Sequence, residues 1–223
     1  MKAEASLIRV GDGRGFVVAD MRLEELFIIT AAHCIPEMPP AHLGRYLHEE
    51  TFPLLGPLLK GKPHVFATVL FYDPIGDVAV LGPPDGQAMY DDASAYRKLL
   101  ARYKPLAIAI PRNQGKGFVY DLKGKPQQIT YRCWQGPFKA AWLHVEGYVF
   151  EGGMSGSPVL DSRGRALALV STSGNGSNLA SPCLSAAIPS RIRLNIKPIT
   201  GGAKRPKSTT NEEHNYEQSR QDI

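Results

Sequence analysis

Several features that direct a protein to a particular compartment are scarce in this chain of 223 residues. It has three cysteines, and no two of them form a CxxC pair. No apolar run approaches the roughly 18 residues of a transmembrane helix, and the opening residues MKAEASLIRVGDGRG lack the apolar centre of a signal peptide. An odd number of cysteines without such a leader predicts free thiols in a reducing compartment. We therefore expect a cytoplasmic protein that makes no contact with a membrane; the alternative is a mature secreted form that has lost its leader.

The charge and the histidine spacing do not indicate binding of nucleic acid, metal or cofactor. Lysine and arginine number 26 and aspartate and glutamate 21, a formal net charge of only +5, and no nucleic-acid-binding motif accompanies it. The segment GDGRG lacks the glycine spacing of a phosphate-binding loop. None of the metal-binding spacings HxxxH or HExxH occurs among His42, His48, His64, His144 and His214. The sequence thus predicts no nucleic-acid partner, no metal and no cofactor.

Frequent glycine and proline predict a β-rich fold. The chain has 22 glycines and 18 prolines, and the apolar runs between them are short, with an alternating pattern in residues 106–110. This is typical of about ten or more strands, mostly antiparallel, in barrels or a sandwich. Helical spacing occurs in residues 91–103, DDASAYRKLLARY. The proline-rich residues 35–63 are expected to form a loop that has room for one short helical turn.

Three short motifs contain a histidine, an aspartate and a serine in that order. FIITAAHC contains His33, GDVAVL places Asp77 at the start of a strand pattern, and GGMSGSPV holds Ser155 in a glycine-rich turn. GRGFVV precedes the first motif, and ALALVSTSG follows the last. In this order, over roughly residues 7–196, the sequence resembles the chymotrypsin-fold serine proteases, especially the small bacterial trypsin-like branch.

The resemblance implies an all-β fold of two antiparallel six-stranded barrels with the active site between them. It divides the chain into residues 1–90 as an N-terminal barrel carrying the histidine and aspartate, 91–104 as a linker with a short helix, 105–199 as a C-terminal barrel carrying the serine, and 200–223 as a tail. That last segment is polar and has almost nothing to bury, which predicts disorder.

The same resemblance assigns a chemical role to each of the three residues. Ser155 is the nucleophile, His33 the general base and acid, and Asp77 the group that orients the histidine. A serine hydroxyl needs an adjacent base to attack at neutral pH, histidine titrates in that range, and a buried carboxylate holds the imidazole in the correct tautomer. The backbone amides of Gly153 and Ser155 are implied to form the oxyanion hole, because glycines let the backbone curl around one point.

The substrate-binding residues implied by the resemblance are Val149, Ser171, Thr172 and Ser173. The last three match a strand edge that pairs with an extended peptide. A pocket with Val149 and Thr172 in its wall favours a small or medium apolar side chain.

Two positions depart from the family's pattern. Met154 lies where zymogen-activated members carry an aspartate that pairs with a newly cut N-terminus, so we expect no activation of that kind. Cys34 is disulfide-bonded in the secreted branch, but GRGFVVAD, where its partner would lie, has no cysteine. We expect Cys34 to be a small buried residue, and a bridge between Cys133 and Cys183 is left open.

The function predicted is that of a serine endopeptidase that cleaves protein or peptide substrates through an acyl-enzyme. The alternative is a catalytically silent or latent protease-fold protein that binds peptides or partners. A serine esterase is a weaker alternative, because GMSGS lacks the final glycine of a GxSxG elbow. The sequence leaves open a regulatory partner or a larger assembly.

Overall fold

Twelve strands in the described part of the chain close into two six-stranded barrels. The computed structural model describes residues 3–20, 25–36, 51–58, 63–135, 141–174, 177–182 and 184. The first barrel contains β1 (Leu7–Val10), β2 (Gly13–Asp20), β3 (Glu25–Thr30), β4 (Thr51–Gly56), β5 (Val65–Asp73) and β6 (Val78–Gly82). The second contains β7 (Gln114–Tyr120), β8 (Pro126–Gln135), β9 (Ala141–Glu146), β10 (Pro158–Leu160), β11 (Ala166–Gly174) and β12 (Ser177–Ser181). The helix α1 (Tyr90–Leu100) lies between them in the chain.

All neighbouring strands within the two barrels are antiparallel. The first barrel has the order β1-β2-β3-β6-β5-β4 and closes where Arg9 of β1 pairs with Gly56 of β4. The second has the order β10-β11-β12-β9-β8-β7 and closes where Leu160 of β10 pairs with Phe118 of β7. The predicted architecture of two antiparallel six-stranded barrels is confirmed. Residues 200–223, for which we expected disorder, lie outside the described residues.

Strands that bury both faces create an apolar seam between the barrels. In β3, Ile28 belongs to the cluster inside the first barrel. Its neighbours Phe27 and Ile29 belong to a second cluster, shared with Leu160 and Leu169 of the second barrel. Because alternate side chains of one strand enter different cores, this strand is apolar on both faces. Full burial of each such side chain contributes roughly 1.5–3 kcal/mol, so the seam holds the two barrels at a fixed position.

Helix α1 packs on the first barrel through Tyr96, Leu99 and Leu100, all of which are buried. The Tyr96 hydroxyl donates hydrogen bonds to the carbonyls of Leu26 (2.9 Å) and Leu81 (3.3 Å). The helix ends at Leu100 rather than at the predicted residue 103. The N–H groups of Arg102 and Tyr103 donate to the carbonyls of Leu99 (3.3 Å) and Leu100 (2.9 Å), so the chain continues in tight turns.

No helix among the described residues is long and apolar enough to span a membrane.

The prediction of a loop over residues 35–63 was wrong for the part that forms β4. Pro53 is exposed and lies where the pairing of β4 with β5 shifts register, between Phe52 and Leu55. A proline at such an irregularity costs the sheet no ladder hydrogen bond. Residues 37–50 and 59–62 of this region lie outside the described residues.

The alternating residues 106–110, which predicted a strand, connect the two barrels instead. The N–H of Leu106 donates to the carbonyl of Val17 in the first barrel (2.8 Å). The N–H of Ala109 donates to the carbonyl of Ala166 in the second barrel (2.8 Å). Leu106 and Ile108 pack into the apolar cluster that the two barrels share, and Ala109 packs into the core of the second barrel, so the alternation reflects this seam and no long ladder forms.

Candidate functional site

His33 lies in a short 3-10 turn (Ala32–Cys34) directly after β3. The residues before it, Ala31 and Ala32, are buried, and their small side chains let the turn lie close to the barrel wall. The imidazole is half exposed, with 47% of its side-chain surface accessible. Its Nδ1 is 3.0 and 2.9 Å from the two carboxylate oxygens of Asp77. The turn thus presents a histidine whose second ring nitrogen, Nε2, is not used by this aspartate.

Asp77 directly precedes β6 and is 9% exposed. Its φ of +49° is in the left-handed region, which aspartate tolerates better than most residues. The turn before it is closed by Asp73, whose Oδ1 accepts the N–H groups of Ile75 (2.9 Å) and Gly76 (3.0 Å). The carboxylate of Asp77 accepts the backbone N–H of His33 (3.1 Å) as well as the ring N–H. These two hydrogen bonds fix both the position and the tautomer of the imidazole.

The hydrogen bond with Asp77 raises the pKa of His33 above its ordinary value, and the negative charge of Asp77 adds to this effect. Burial of the ring opposes it, because desolvation disfavours the imidazolium. The balance favours a histidine that accepts a proton readily.

Ser171 lies in the second barrel but donates a hydrogen bond from Oγ to Oδ2 of Asp77 in the first. It is 3% exposed, and the pairing of β11 with β12 shifts register between Val170 and Thr172, which turns Ser171 out of the ladder. From the sequence we expected this residue to contact substrate. The irregular pairing that turns it toward Asp77 is a property of two strands together, and no pattern within one strand reveals it.

The main chain of Ser155 contacts the first barrel. Its carbonyl accepts the N–H of Arg14 in β2 (2.8 Å), and the Sγ of Cys34, the residue after His33, is 3.9 Å from the same oxygen. The three candidate residues therefore meet at the seam between the barrels. Of the hydrogen bonds within the described ranges, none joins Ser155 Oγ to His33. Catalytic hydrogen bonds are often long in the absence of substrate.

The glycine-rich stretch before Ser155 forms a tight turn. The N–H of Met154 donates to the carbonyl of Glu151 (3.1 Å), and Gly153 at the third position has φ +87°. A turn in which only the third residue has positive φ is a type II turn. Its central peptide is flipped relative to that of a type I turn. Among the described residues, no acceptor takes the N–H of Gly153 or that of Ser155. Both amides are therefore available to a ligand.

Gly156 lets the two barrels meet directly after the candidate nucleophile. Its φ is +80°, and a Cβ at this position would lie 1.9 Å from the carbonyl oxygen of Arg14. Any side chain here would separate the barrels, which explains the glycine that follows Ser155.

In its two closed barrels the chain is similar in fold to chymotrypsin-like proteins. No protein-family model matches it, and no curated protein does. Similar solved structures include the active form of the Rv3671c protease from M. tuberculosis (19% identity over 80% of this chain and 76% of that one, TM-score 0.47). The serine endoprotease from Yersinia pestis has 15% identity over 83% and 61% (TM-score 0.47). The human pathogenic astrovirus serine protease has 19% identity over 85% and 93% (TM-score 0.46).

Met154 anchors the turn in the second barrel. Its side chain is completely buried in that barrel's core, and its Sδ accepts the N–H of Glu151 (3.4 Å). The turn before Ser155 is thus anchored in the barrel by an apolar side chain.

The segment before the turn is held by Asn178 of β12, a residue that sequence reasoning missed. The side-chain oxygen of Asn178 accepts the N–H of Phe150 (3.0 Å), and its amide donates to the carbonyl of Tyr148 (2.8 Å). Phe150 is buried, while Val149 is 72% exposed. The backbones of Thr172 and Ser173 pair with β12, and a substrate role for them and for Val149 stays a prediction.

Cys34 is a free thiol, as is Cys133. A Cβ on Gly13 would lie 2.5 Å from the Sγ of Cys34, so the thiol fills the space that a disulfide partner in β2 would need. Burial raises the pKa of Cys34 to about 11, which keeps the thiol protonated and unreactive. Cys183 lies outside the described residues.

No group of His, Cys, Asp or Glu within the described ranges has the arrangement of a metal site.

Proposed function

We propose that this protein is a serine endopeptidase that cleaves protein or peptide substrates through an acyl-enzyme intermediate. The observation that supports this most is the meeting of two half-sites at one seam. A histidine oriented by Asp77 comes from the first barrel. Ser155 comes from the second, together with two amides that no described residue accepts. A protein that only binds peptides has no need of this combination.

In the proposed reaction His33 Nε2 takes the proton of Ser155 as its Oγ attacks the substrate carbonyl carbon. Asp77 stabilises the imidazolium that forms. The amides of Gly153 and Ser155 donate to the oxyanion, which collapses as the C–N bond breaks, and His33 returns the proton to the leaving amine. Water then attacks the acyl-enzyme with His33 again as base, which releases the acid and restores Ser155.

The substrate is proposed to bind as an extended strand along Ser171, Thr172 and Ser173. A peptide in this position gains main-chain hydrogen bonds that do not depend on its side chains. Val149, exposed beside the turn, is proposed to contact the side chain of the residue before the cleaved bond. An apolar contact of this kind favours a small or medium apolar residue there.

The proposal is tested by labelling the purified protein with a fluorophosphonate probe. Wild type is compared with Ser155→Ala and with Ser162→Ala, which removes an exposed serine from the turn between β10 and β11. We expect labelling of wild type and of Ser162→Ala but not of Ser155→Ala, because only an activated serine attacks phosphorus at a useful rate.

Equal labelling of Ser155→Ala would contradict the assigned nucleophile. Absence of labelling in folded wild type would contradict the peptidase and support the silent, peptide-binding alternative. Circular dichroism of each variant separates these outcomes from unfolding.

A further inference from the structure

Arg14, in β2 of the first barrel, inserts its side chain into the second barrel. It is only 6% exposed, and its Nη1 donates to the main-chain carbonyls of Tyr120 (3.2 Å) and Asp121 (3.0 Å). Arginine is almost never buried to this extent without specific partners, because removing the charge from water is costly. The burial of this guanidinium therefore indicates that its hydrogen bonds to the two carbonyls are needed in this part of the structure.

The main chain of Arg14 is fixed against the serine end of the turn. Its N–H donates to the carbonyl of Ser155 (2.8 Å), and its own carbonyl accepts the hydroxyl of Thr30 (2.7 Å). The same carbonyl lies against Gly156. Backbone and side chain of one residue thus contact both the candidate nucleophile and the loop after β7.

Arg14 contacts two segments of the chain, its own strand and the loop after β7, and Gly153 lies between them. A Cβ on Gly153 would be 3.7 Å from the carbonyl oxygen of Asp12 and 3.8 Å from Cδ2 of Leu122. Asp12 is two residues before Arg14, and Leu122 follows the carbonyl of Asp121 that the guanidinium binds. Loss of the guanidinium would free these flanks to move relative to each other.

Acidic groups around the guanidinium keep it charged. Burial lowers the pKa of Arg14, while the carboxylates of Asp121 and Glu151 favour its protonated form. The Tyr148 hydroxyl donates to Oε1 of Glu151 (2.6 Å), the residue whose carbonyl closes the turn. The hydrogen bonds of the guanidinium go to main-chain carbonyls, so its geometric effect falls on the backbone around the turn.

We infer that Arg14 is a positioning residue that holds the Glu151–Met154 turn in its type II form, with the amides of Gly153 and Ser155 available to the oxyanion. This inference rests on the proposed peptidase function. Arg14 acts through the turn and contacts no reacting atom. Its loss should slow the step in which the oxyanion forms and leave the initial binding of a ligand nearly unchanged.

The test compares Arg14→Met and Arg14→Lys with wild type in two measurements. The first is the rate constant and apparent affinity of inactivation by a fluorophosphonate probe. Since misplacement of catalytic groups by about 1 Å can cost about 100-fold, we expect Arg14→Met to lose about 100-fold in rate and to keep its apparent affinity. Arg14→Lys, which can still reach one carbonyl, should regain part of the rate.

The second measurement is the ¹⁵N–¹H spectrum, in which the amides of Gly153 and Ser155 should shift or broaden in Arg14→Met. This readout does not require activity, so it tests Arg14 even if wild type fails to react with the probe, a result that would contradict only the peptidase. If Arg14→Met does not fold, the amide spectrum and the inactivation rate of Arg14→Lys are compared with those of wild type instead. Wild-type rate and unshifted amides in a folded variant would overturn the inference.

Arg165→Met is the matched control. Arg165 is also largely buried, with 12% of its side chain exposed, and it binds Asp161 in the turn between β10 and β11. Its loss should lower the melting temperature but leave the probe rate and the two amides unchanged. If both variants lose rate in proportion to their loss of melting temperature, Arg14 is merely structural and the inference fails.

Discussion

The two barrels contribute to the site in different ways. The first supplies side chains, His33 and Asp77, held in place by hydrogen bonds between them. The second supplies a shaped main chain, in which Gly153 and Gly156 adopt positive φ and two amides have no acceptor among the residues that the structure describes. Side-chain chemistry can be recognised by residue type, whereas main-chain chemistry depends on conformation. Neither half can carry out the proposed reaction alone.

Contacts that cross the seam couple the halves. Ser171 of the second barrel supports the carboxylate of Asp77 in the first, and Arg14 of the first binds the carbonyl of Ser155 in the second. Each half is therefore positioned partly by the other. Substitutions that disable one half at a time test this division.

The largest effect is expected in the first barrel, from Asp77→Asn. An amide at this position favours the wrong tautomer of His33, and such a change costs about 10⁴-fold in rate in a Ser-His-Asp triad. The acid limb of the pH–rate profile should also move. In wild type the rate rises as His33 loses its proton, with a midpoint above about 6.5 because Asp77 raises this pKa. Without the carboxylate the midpoint should fall.

The measurement is the pH dependence of probe inactivation for both proteins. An unchanged midpoint in Asp77→Asn would show that the pair in the first barrel does not control the protonation of His33.

A smaller effect is expected in the second barrel, from Gly153→Ala. Alanine is strained at φ +87°, which favours a flip of the turn and loss of one amide from the oxyanion. Loss of one such donor typically costs about 100- to 1,000-fold in rate. The matched control is Gly152→Ala, because a Cβ on Gly152 meets nothing within 4 Å and its φ is not positive.

Probe inactivation rates of the two alanine variants decide this prediction. Equal rates would mean that the conformation at Gly153 is not needed, and the description of the second barrel as the main-chain half would be wrong.

The smallest effect is expected at the seam, from Ser171→Ala. Its hydroxyl bonds to a carboxylate, and such a hydrogen bond contributes about 1.5 kcal/mol at the lower end of its usual range, which corresponds to a rate loss of about tenfold. Ser157→Ala is the control, since Ser157 is equally buried but its hydroxyl has no partner in the described structure. Its removal should leave rate and stability nearly unchanged. If the two variants change alike in melting temperature and probe inactivation rate, the hydroxyl of Ser171 does not contribute to the site.

Residue types and their order were enough to predict the β fold and the candidate residues. Glycine-rich turns and short apolar runs indicate strands, and His33 and Asp77 occur in recognisable surroundings at strand ends. The errors arose where one sequence pattern has two structural causes. Leu106 and Ile108 pack into the cluster between the barrels without forming a barrel strand, and the proline-containing β4 tolerates Pro53 at a register shift.

The parts that sequence reasoning missed depend on partners distant in the chain. Asn178 holds the segment before the turn, and Ser171 turns toward Asp77 only because β11 and β12 pair irregularly. Arginine is a residue type that usually lies at the surface, and nothing near Arg14 in the sequence indicates that its side chain enters the other barrel.

The sequence by itself determined which groups are present: a histidine, a carboxylate, a hydroxyl and the glycines that permit positive φ. Tertiary structure alone decided which of them meet, how the turn before Ser155 is oriented, and which charge is buried beneath it. The physical reason is that residue type sets local conformational preference and chemistry. Distances across the seam follow instead from the packing of two closed barrels, whose contacts join residues far apart in the chain.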